Sequence, residues 1–262
     1  MSQTEPPEGT LKSLPAERYR WKPLPYLILF LFFITLTLVT PWSGISLMDR
    51  WRAKSSGRLI SSVSTVRKNV AISFDDGPDS RYTPTILGIL KTKSIHATFF
   101  VCGEMIKGNK QLLKREIIEG HDIGNHSMTH GHLESMSQRE QQAEIIECNR
   151  LLKSAGVEAH FFRPPRGRVT NSLIDLADKA GLKTVIWSIA FDKESEKDPA
   201  VLTARVVNQA RPGDIILLHD GAIHGNFDRS RTITQLPAII DGLRSKGLEP
   251  VTLTELLRSS QK

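Results

Sequence analysis

The heptad "ISFDDGP", from Ile72 to Pro78, ends an apolar run in two adjacent acids, which a strand followed by a turn does not require. Gly77 and Pro78 mark a chain reversal directly after Asp75 and Asp76. On turn chemistry alone, one acid could cap the turn while the other is solvated. The rest of the chain decides whether this pair of carboxylates performs chemistry.

Short apolar runs alternate with amphipathic segments from Asn69 onward. The segments between the runs carry helix signals, such as a capping box at Ser137 and Glu140. Strict alternation implies parallel strands with helices outside. Seven repeats of this α/β pattern predict an incomplete (β/α) barrel rather than an open doubly wound sheet. No Gly-x-Gly-x-x-Gly follows the first run, which removes the usual dinucleotide-binding alternative. The seven runs are VAISF, ATFFV, HDIG, HFF, KTVIW, DIILLH and EPVTL.

The segment "LPYLILFLFFITLTLVT", from Leu24 to Thr40, holds seventeen residues without a charge. This length is near the lower limit for a membrane-spanning helix, and Trp42 extends it into the interface. We therefore predict one transmembrane helix over residues 24–42, preceded by a tail over residues 1–23. A cleaved signal peptide is the alternative, but the polar lead is long and no small-residue cleavage site follows.

Residues 43–68 are rich in serine and basic residues and show no sustained apolar period. This composition predicts a stalk between the membrane and the domain, and residues 258–262 form a short tail. We expect a single-pass cell-membrane protein with an extracytoplasmic catalytic domain. Basic residues flank the span on both sides, so the positive-inside rule does not decide its orientation.

The composition of the 262 residues fits one sizeable core with an appendage, and the net charge is +7. The basic residues are scattered and form no nucleic-acid-binding motif, so we expect no nucleic-acid partner, and nothing in the sequence indicates a protein partner. Cys102 and Cys148 stand apart, outside any CxxC motif, which argues against a structural zinc site or a disulfide-built fold. Cys102 ends an apolar run and is predicted to be a buried thiol.

Polar residues that can carry chemistry follow the runs, at positions that a parallel barrel brings to one mouth. Independent surface positions would not coincide in this way. They are Asp75 and Asp76 after the first run, His126 and His130 after the third, Arg163 after the fourth, Asp192 beyond the fifth, and His219 ending the sixth.

The stretch "HSMTH" spaces His126 and His130 four residues apart, so that on a helical turn both imidazoles would project from one face. The pair alone is weak evidence for a metal site. With one carboxylate from another strand end, it predicts a catalytic site for a divalent metal, most simply Zn²⁺, with an open position for water. The other acid of the pair is then free to act as a base. His121, His132 and His224 are interpreted as surface residues.

The motifs "SFDDG", "HSMTH", "RPPRG" and "LLH", in this order and at these separations, resemble those of the polysaccharide deacetylases, the carbohydrate esterase family 4 or NodB-homology group. The resemblance covers roughly Asn69 to Leu257. It implies a deformed (β/α)7 barrel and metal-dependent removal of acyl groups, usually acetyl from N-acetylated amino sugars. It also implies that Asp75 is the catalytic base and that Asp76 binds the metal with the two histidines of HSMTH.

The resemblance implies roles for further residues around the same mouth. Arg163 would hold the base, the backbone amide of Arg166 would help to bind the oxyanion, and His219 would be the general acid. Asp192 is the candidate partner of His219. The predicted substrate-binding residues are Pro165, Arg166, Leu217, which matches the leucine of the acetyl pocket, and Trp187.

The chain departs from the family pattern at two places. An aromatic residue often follows "RPP", whereas Arg166 here offers a charge to an acidic substrate. The motif after the fifth strand usually ends in Asp-Trp, but this chain reads "WSIAFDKES". Lys193 stands where the tryptophan would be, and Ala190 occupies an earlier acidic position. These changes concern the acid and the sugar-binding wall, and they leave the metal and the base intact.

Three functions follow from these features. The leading hypothesis is a membrane-anchored, zinc-dependent enzyme that removes N-acetyl groups from peptidoglycan or a chitin-like glycan. The second is a deacylase or deformylase of a lipid-linked sugar or another small amide, because the anchor keeps the domain close to lipid. The third is a glycan-binding protein with weakened catalysis, because the fifth-strand motif is altered.

Overall fold

A computed structural model of the chain describes residues 46–191, 198–225 and 227–260. The predicted membrane span over residues 24–42 lies outside these ranges, and so do Asp192 and Lys193. Within the ranges, no helix combines the length and the apolar character needed to cross a membrane.

One sheet of nine strands organises the described residues, and all pairs of these strands are parallel. The strands follow the order β1-β6-β5-β4-β3-β2-β8-β7, and β9 also pairs with β2. The strands are β1 Leu59–Ile60, β2 Asn69–Asp75, β3 Thr98–Val101, β4 Asp122–Asn125, β5 Phe161–Phe162, β6 Lys183–Val185, β7 Ile189–Ala190, β8 Ile215–His219 and β9 Glu249–Val251.

Helices connect the strands, and the predicted capping box is confirmed, since Ser137 and Glu140 exchange side-chain and backbone hydrogen bonds. Two short 3₁₀ turns, Leu133–Ser135 and Pro165–Gly167, lie in the loops after β4 and β5. The helices are α1 Leu47–Ser55, α2 Thr83–Thr92, α3 Gly103–Gly108, α4 Lys110–Ile118, α5 Gln138–Ser154, α6 Asn171–Lys179, α7 Pro199–Gln209, α8 Ser230–Ser245 and α9 Leu253–Arg258.

The predicted parallel α/β architecture is confirmed, and all seven apolar runs contain strands. The predicted number of seven strands is wrong, because β1 and β7 add two strands of two residues each. β1 holds two apolar residues within a polar segment, and β7 follows β6 without a helix between them, so the alternation of apolar runs and helices marks neither strand. No pair joins β1 to β7 in the described residues, so the sheet is open there, which fits the predicted incomplete barrel.

The segment predicted as a stalk belongs instead to the folded domain over most of its length. It contains α1 and β1, and β1 pairs with β6 in the register Leu59 to Thr184. Leu59 is only 2% exposed, and the Val63 amide donates a hydrogen bond of 2.8 Å to the Gly213 carbonyl. The sequence signal was weak because α1 turns one small residue, Ala53, toward the core.

Hydrophobic side chains fill both faces of the sheet. Ile72 and Phe74 of β2 belong to the large cluster that also takes in the helices, whereas Ala71 points to the other face. On that inner face, residues from β1, β2, β3, β5, β6 and β8 meet in one cluster, which shows that the sheet is curled. Ser73 and Asp75 continue the row of Ala71 toward the carboxyl ends of the strands, so the inner row becomes polar there.

The two cysteines, Cys102 and Cys148, are buried free thiols, as predicted for Cys102. Burial raises the pKa of the Cys148 thiol to about 12 and raises that of Cys102 well above its usual value. Neither thiol is therefore a reactive thiolate at neutral pH.

Candidate active site

The end of β2 separates two acids that are adjacent in sequence. Asp75 closes the strand and lies in register with Phe100 of β3 and His219 of β8. Asp76 adopts φ of 76°, a left-handed conformation in which aspartate is several-fold enriched among residues other than glycine. This turn interrupts the strand alternation, so both carboxylates approach the same imidazole, that of His126.

The turn also needs the glycine that follows. A Cβ at Gly77 would lie 2.1 Å from Oδ2 of Asp220, a buried residue directly after β8. A side chain at this position is therefore excluded.

The stretch His126–His130 is a loop rather than the predicted helical turn. Ser127 and His130 have φ of 69° and 56°, which folds the loop back on itself. The Ser127 amide donates to Oδ1 of Asn125 at 2.8 Å, and the His130 amide donates to Oγ of Ser127 at 3.0 Å. The two imidazole centroids lie 5.1 Å apart. The spacing therefore brings the histidines together, as expected, through loop hydrogen bonds instead of a helix face.

Glu144 of α5 supports this loop from outside. Its carboxylate accepts hydrogen bonds from the amides of Met128 and Thr129 at 3.0 and 2.9 Å and from the Thr129 hydroxyl at 2.8 Å. The helix therefore fixes the backbone between the two histidines.

Asp76, His126 and His130 form the one group of potential metal ligands in the described residues, with their ligand atoms all within 4.8 Å of one another. Oδ1 of Asp76 lies 3.1 Å from Nε2 of His130 and 3.5 Å from Nε2 of His126. Nδ1 of His126 lies 2.7 Å from the Arg163 carbonyl, which can only accept, so this nitrogen carries the proton in the neutral ring. The lone pair of Nε2 then faces the carboxylate.

The charges and burial of this group suit a cation. Oδ1 of Asp76 is buried without a hydrogen bond in the described residues. Burial alone would raise the pKa of Asp76, but His126, His219 and His130 together lower it well below its usual value. Burial, followed by the charge of His126, lowers the pKa of His130 to about 3, so this ring is neutral. One carboxylate and two imidazoles at this separation fit a divalent metal with an open position.

His126 differs from His130 because it faces both acids. Burial by itself would lower the pKa of His126, but Asp75 and Asp76 more than offset burial and raise it. A proton and a metal ion therefore compete for its Nε2, as expected of a histidine ligand.

Asp75 has a different set of partners. Nη1 of Arg163 lies 2.6 Å from Oδ1 of Asp75 and 2.9 Å from Oγ of Ser73. Arg163 is fully buried, and its guanidinium stacks 3.9 Å from the ring centroid of Phe100 and 5.8 Å from that of Trp187. The arginine is thus fixed by packing as well as charge, and it holds Asp75 next to the three potential ligands.

The loop after β5 forms the rim of the site. Arg166 adopts φ of 56° in the 3₁₀ turn, and its Nη1 donates to the carbonyls of His130 and Gly131 at 3.2 and 3.0 Å. Trp187 covers the same loop, since a Cβ at Gly167 would lie 2.7 Å from its ring. Of the predicted substrate-binding residues, Arg166 therefore contacts the histidine loop, Trp187 covers the loop after β5, and Pro165 of that loop is buried.

The end of β8 supplies the other side of the opening. His219 is partly exposed, and Leu217 lies on the same inner face, in register with Ser73 and with Ala190 of β7. Leu217 is 4% exposed. The pairing of His219 with Asp192 stays a prediction, because Asp192 lies outside the described residues.

The structure corrects the interpretation of one of the three histidines predicted at the surface. His121 was expected at the surface but is 8% exposed, and its Nδ1 accepts a hydrogen bond of 3.1 Å from the Ala97 amide. It lies at the amino end of β4, away from the mouth. His132 and His224 are exposed, as predicted, although His224 reaches the Thr129 carbonyl in the histidine loop at 2.8 Å.

Two site residues escaped the sequence analysis. Arg229, next to α8, places Nη2 3.2 Å from Oδ2 of Asp76, and its loop carries no recognisable motif. Asp220 is fully buried, and its Oδ2 accepts a hydrogen bond of 2.5 Å from the Thr83 hydroxyl. Burial, with the nearby acids, raises the pKa of Asp220 to about 7. Its position directly after His219 was the signal that could have revealed it.

These features define a class of protein. A curled parallel sheet presents one carboxylate with two imidazoles, and beside them a second carboxylate held by a buried arginine. That arrangement is typical of metal-assisted hydrolases in which one acid binds and the other accepts a proton.

The comparisons with known proteins identify the family. The family model described as polysaccharide deacetylase matches residues 62–185. A peptidoglycan-N-acetylglucosamine deacetylase from Bacillus cereus is 37% identical over 80% of this chain and 97% of its own length. A chitooligosaccharide deacetylase from Sinorhizobium fredii is 33% identical over 72% of this chain and 92% of its own length. This chain belongs to the polysaccharide deacetylase family, and the resemblance drawn from its motifs is confirmed.

Solved structures agree with this assignment. The Bc1960 peptidoglycan N-acetylglucosamine deacetylase superposes with a TM-score of 0.74, at 29% identity over 85% of this chain and 99% of that one. BA3943 from Bacillus anthracis, a pseudoenzyme of carbohydrate esterase family 4, superposes with a TM-score of 0.69, at 28% identity over 76% of this chain and 68% of that one. A mutant of BA3943 has restored enzymatic activity.

Proposed function

We propose that this protein removes N-acetyl groups from the amino sugars of a peptidoglycan or chitin-like glycan by metal-dependent hydrolysis of the amide bond. The observation that carries the proposal is the division of roles at the end of β2. Asp76 faces two histidines, while Asp75 is held 2.6 Å from Arg163. The names of the relatives support the reaction and the type of substrate.

Asp76, His126 and His130 would hold the metal, for which nitrogen and carboxylate donors favour Zn²⁺. A zinc ion there would polarise the acetyl carbonyl and make water more acidic. Asp75 accepts the proton of the attacking water. Arg163 orients Asp75 for this step and leaves its second oxygen, Oδ2, on the side of His126.

His219 acts on the leaving amine, and the remaining groups contact the acetyl group and the glycan. His219 donates a proton to the sugar amine as it leaves, from a position opposite Asp75 in the sheet register. The amide of Arg166 is the proposed donor to the oxyanion. Leu217 lines the space for the acetyl methyl group, and the Arg166 guanidinium lies at the rim, where it can meet an acidic substituent of the glycan.

We further propose that residues 24–42 anchor the protein and that the catalytic domain lies outside the cytoplasmic membrane. The uncharged segment from Leu24 to Thr40 supports the anchor. Glycans of the proposed kind are found on that side of the membrane, which supports the orientation.

The test is acetate release by the full-length protein from N-acetylglucosamine oligomers and from peptidoglycan. We expect release that a chelator abolishes and that added Zn²⁺ restores. Protein shown to bind zinc, yet releasing no acetate from either substrate, would contradict the proposed reaction. Comparing Zn²⁺ with Co²⁺ and Mn²⁺ at equal occupancy tests the choice of metal.

A catalytically weakened glycan-binding protein is the second candidate. The similarity to BA3943 and the presence of Ala190 at the usual acidic position favour it. Tight oligosaccharide binding without acetate release at full zinc occupancy would support this candidate over the first.

A further inference from the structure

The helix α1 exposes an unusual amount of apolar surface. Leu47, Met48 and Trp51 are 63%, 53% and 65% exposed. They are three of the eight large hydrophobic side chains that are exposed in the described residues, and the other five lie on separate elements and loops. Single exposed apolar residues are ordinary, but a cluster containing a tryptophan marks an interaction surface.

The three side chains share one face of α1. At about 100° of rotation per residue, Leu47, Met48 and Trp51 fall within one third of the helix circumference. Ala53 lies on the opposite side, where it is buried against Leu59 and its neighbours. The apolar stripe therefore points away from the domain that α1 packs against.

Basic residues border this stripe on both sides. By the same rotation, Arg52 lies on one flank, and Arg50 and Lys54 lie on the other. Asp49 is the only acid of α1, and its Oδ2 accepts a hydrogen bond of 2.9 Å from the Ser46 hydroxyl. Its Oδ1 lies 3.8 Å from Nη1 of Arg52, whereas Arg50 and Lys54 lie on the other flank. An apolar stripe with tryptophan between basic flanks is the pattern of a helix that lies in the interface of an anionic membrane.

The chain itself indicates what occupies this surface. The predicted membrane span ends at Trp42, and Leu47 opens α1. We propose that α1 docks on the bilayer, with its apolar stripe among the acyl chains near the headgroups and its basic flanks on anionic phospholipid. This proposal rests on the anchor included in the proposed function.

Docking through α1 would also orient the catalytic site. Asp49 in the first turn of α1 accepts a hydrogen bond of 3.1 Å from Asn171, which begins α6 directly after the loop of Arg163 and Arg166. The start of α1 therefore lies at the mouth end of the sheet. A glycan presented close to the membrane surface, such as a lipid-linked one, would then meet the site more readily than a distant polymer.

The experiment uses the full-length protein in vesicles, with an environment-sensitive fluorophore on Met48→Cys. The matched control is Ile118→Cys, because Ile118 is 71% exposed and ends α4, at the opposite end of the sheet. Both native cysteines are buried, and unmodified protein measures any labelling of them. Lipids that carry a quencher near the headgroup reduce the fluorescence of a label that contacts the membrane. The quenching is measured in vesicles of phosphatidylcholine alone and in vesicles that also contain phosphatidylglycerol.

We expect several-fold stronger quenching at position 48 than at position 118, rising with phosphatidylglycerol and falling when Arg50→Glu and Lys54→Glu are added. Equal quenching at the two positions would overturn the proposal. Two further results would overturn it. If the label at position 48 is already shielded from solvent in detergent, the preceding segment covers α1. If its shielding rises with protein concentration, a second copy of the protein covers α1. Acetate release from soluble oligomers, measured on the same samples, tests the proposed function separately.

Discussion

At the scale of single residues, the site depends on giving different surroundings to two identical side chains. The strand geometry points Asp75 inward to Arg163, and the left-handed turn at Asp76 brings its carboxylate to the two histidines. Neighbouring groups then set their roles, since a carboxylate held by a guanidinium and one held by imidazoles have different chemistry.

This division predicts different effects of two conservative substitutions. Asp75→Asn removes the base, so acetate release should fall about 10²–10⁴-fold while zinc affinity changes little. Asp76→Asn removes a charged ligand, so zinc affinity should fall first and activity with it. Competitive zinc titration beside acetate release at saturating zinc distinguishes the two, and loss of zinc affinity in Asp75→Asn would contradict the assignment.

His121 predicts a pH dependence of stability. Burial, followed by the charge of His96, lowers the pKa of His121 to about 4, whereas in the unfolded chain it is about 6.5. The unfolded state therefore binds an extra proton between these values, so stability is present above pH 6.5 and is lost as the pH falls. Lowering the pH from 7 to 5 should therefore reduce the free energy of unfolding by about 2 kcal/mol through this histidine.

Urea unfolding at pH 7 and pH 5 measures this effect. The control is His121→Asn, whose oxygen can still accept the Ala97 amide hydrogen bond. We expect the variant to lose less stability than the wild type over this interval. An identical loss in both proteins would show that His121 is not the group responsible.

At the scale of elements, α5 serves the site from outside the sheet. Its residue Glu144 holds the backbone between His126 and His130 with three hydrogen bonds, and Ser137 caps its first turn. The helix α5 therefore carries both a cap that stabilises the fold and a carboxylate that positions two potential metal ligands.

Two substitutions on α5 should separate these effects. Glu144→Ala should lower zinc affinity about 10–100-fold, as loss of a group supporting metal ligands does. Ser137→Ala should cost about 1 kcal/mol of unfolding free energy through the lost cap and leave zinc affinity unchanged. Zinc titration and urea unfolding of both variants check this. Equal zinc affinities of the two variants would show that Glu144 does not support the metal ligands.

At the scale of the whole molecule, the fold extends beyond the region that its apolar pattern marks. The chain from α1 to β1 completes one edge of the sheet, and its buried Leu59 and Ala53 join a cluster packed against Trp187, which stacks on Arg163. The edge strand and Arg163 thus belong to one packed region.

Leu59→Ala should therefore destabilise the protein by about 2–5 kcal/mol, as buried leucine truncations do. Val66→Ala is the control in the same segment, because Val66 is 89% exposed and its truncation should change stability by less than about 0.5 kcal/mol. Urea unfolding of both variants tests this. Equally small effects of the two substitutions would show that the segment does not contribute to the folded domain and acts as a stalk.

The sequence by itself determined the parallel α/β fold, the seven strands β2 to β6, β8 and β9, and the meeting of Asp75, Asp76, His126, His130 and Arg163 at one end of the sheet. It could do so because alternation of strands and helices dictates direction, and parallel strands bring their carboxyl ends to one side. The motifs around Asp75, His126, Arg163 and His219 then sufficed to identify the family, since each motif follows a strand.

Only the tertiary structure decided the short strands β1 and β7, the loop conformation of His126–His130, the burial of His121 and the places of Asp220 and Arg229. These features depend on contacts between residues far apart in the chain, such as Asp76 with Arg229 and Asp220 with Thr83. Local patterns record only which side chains repeat along one element. They carry no information about which distant groups bury a polar residue, and burial by such groups sets its pKa and its role.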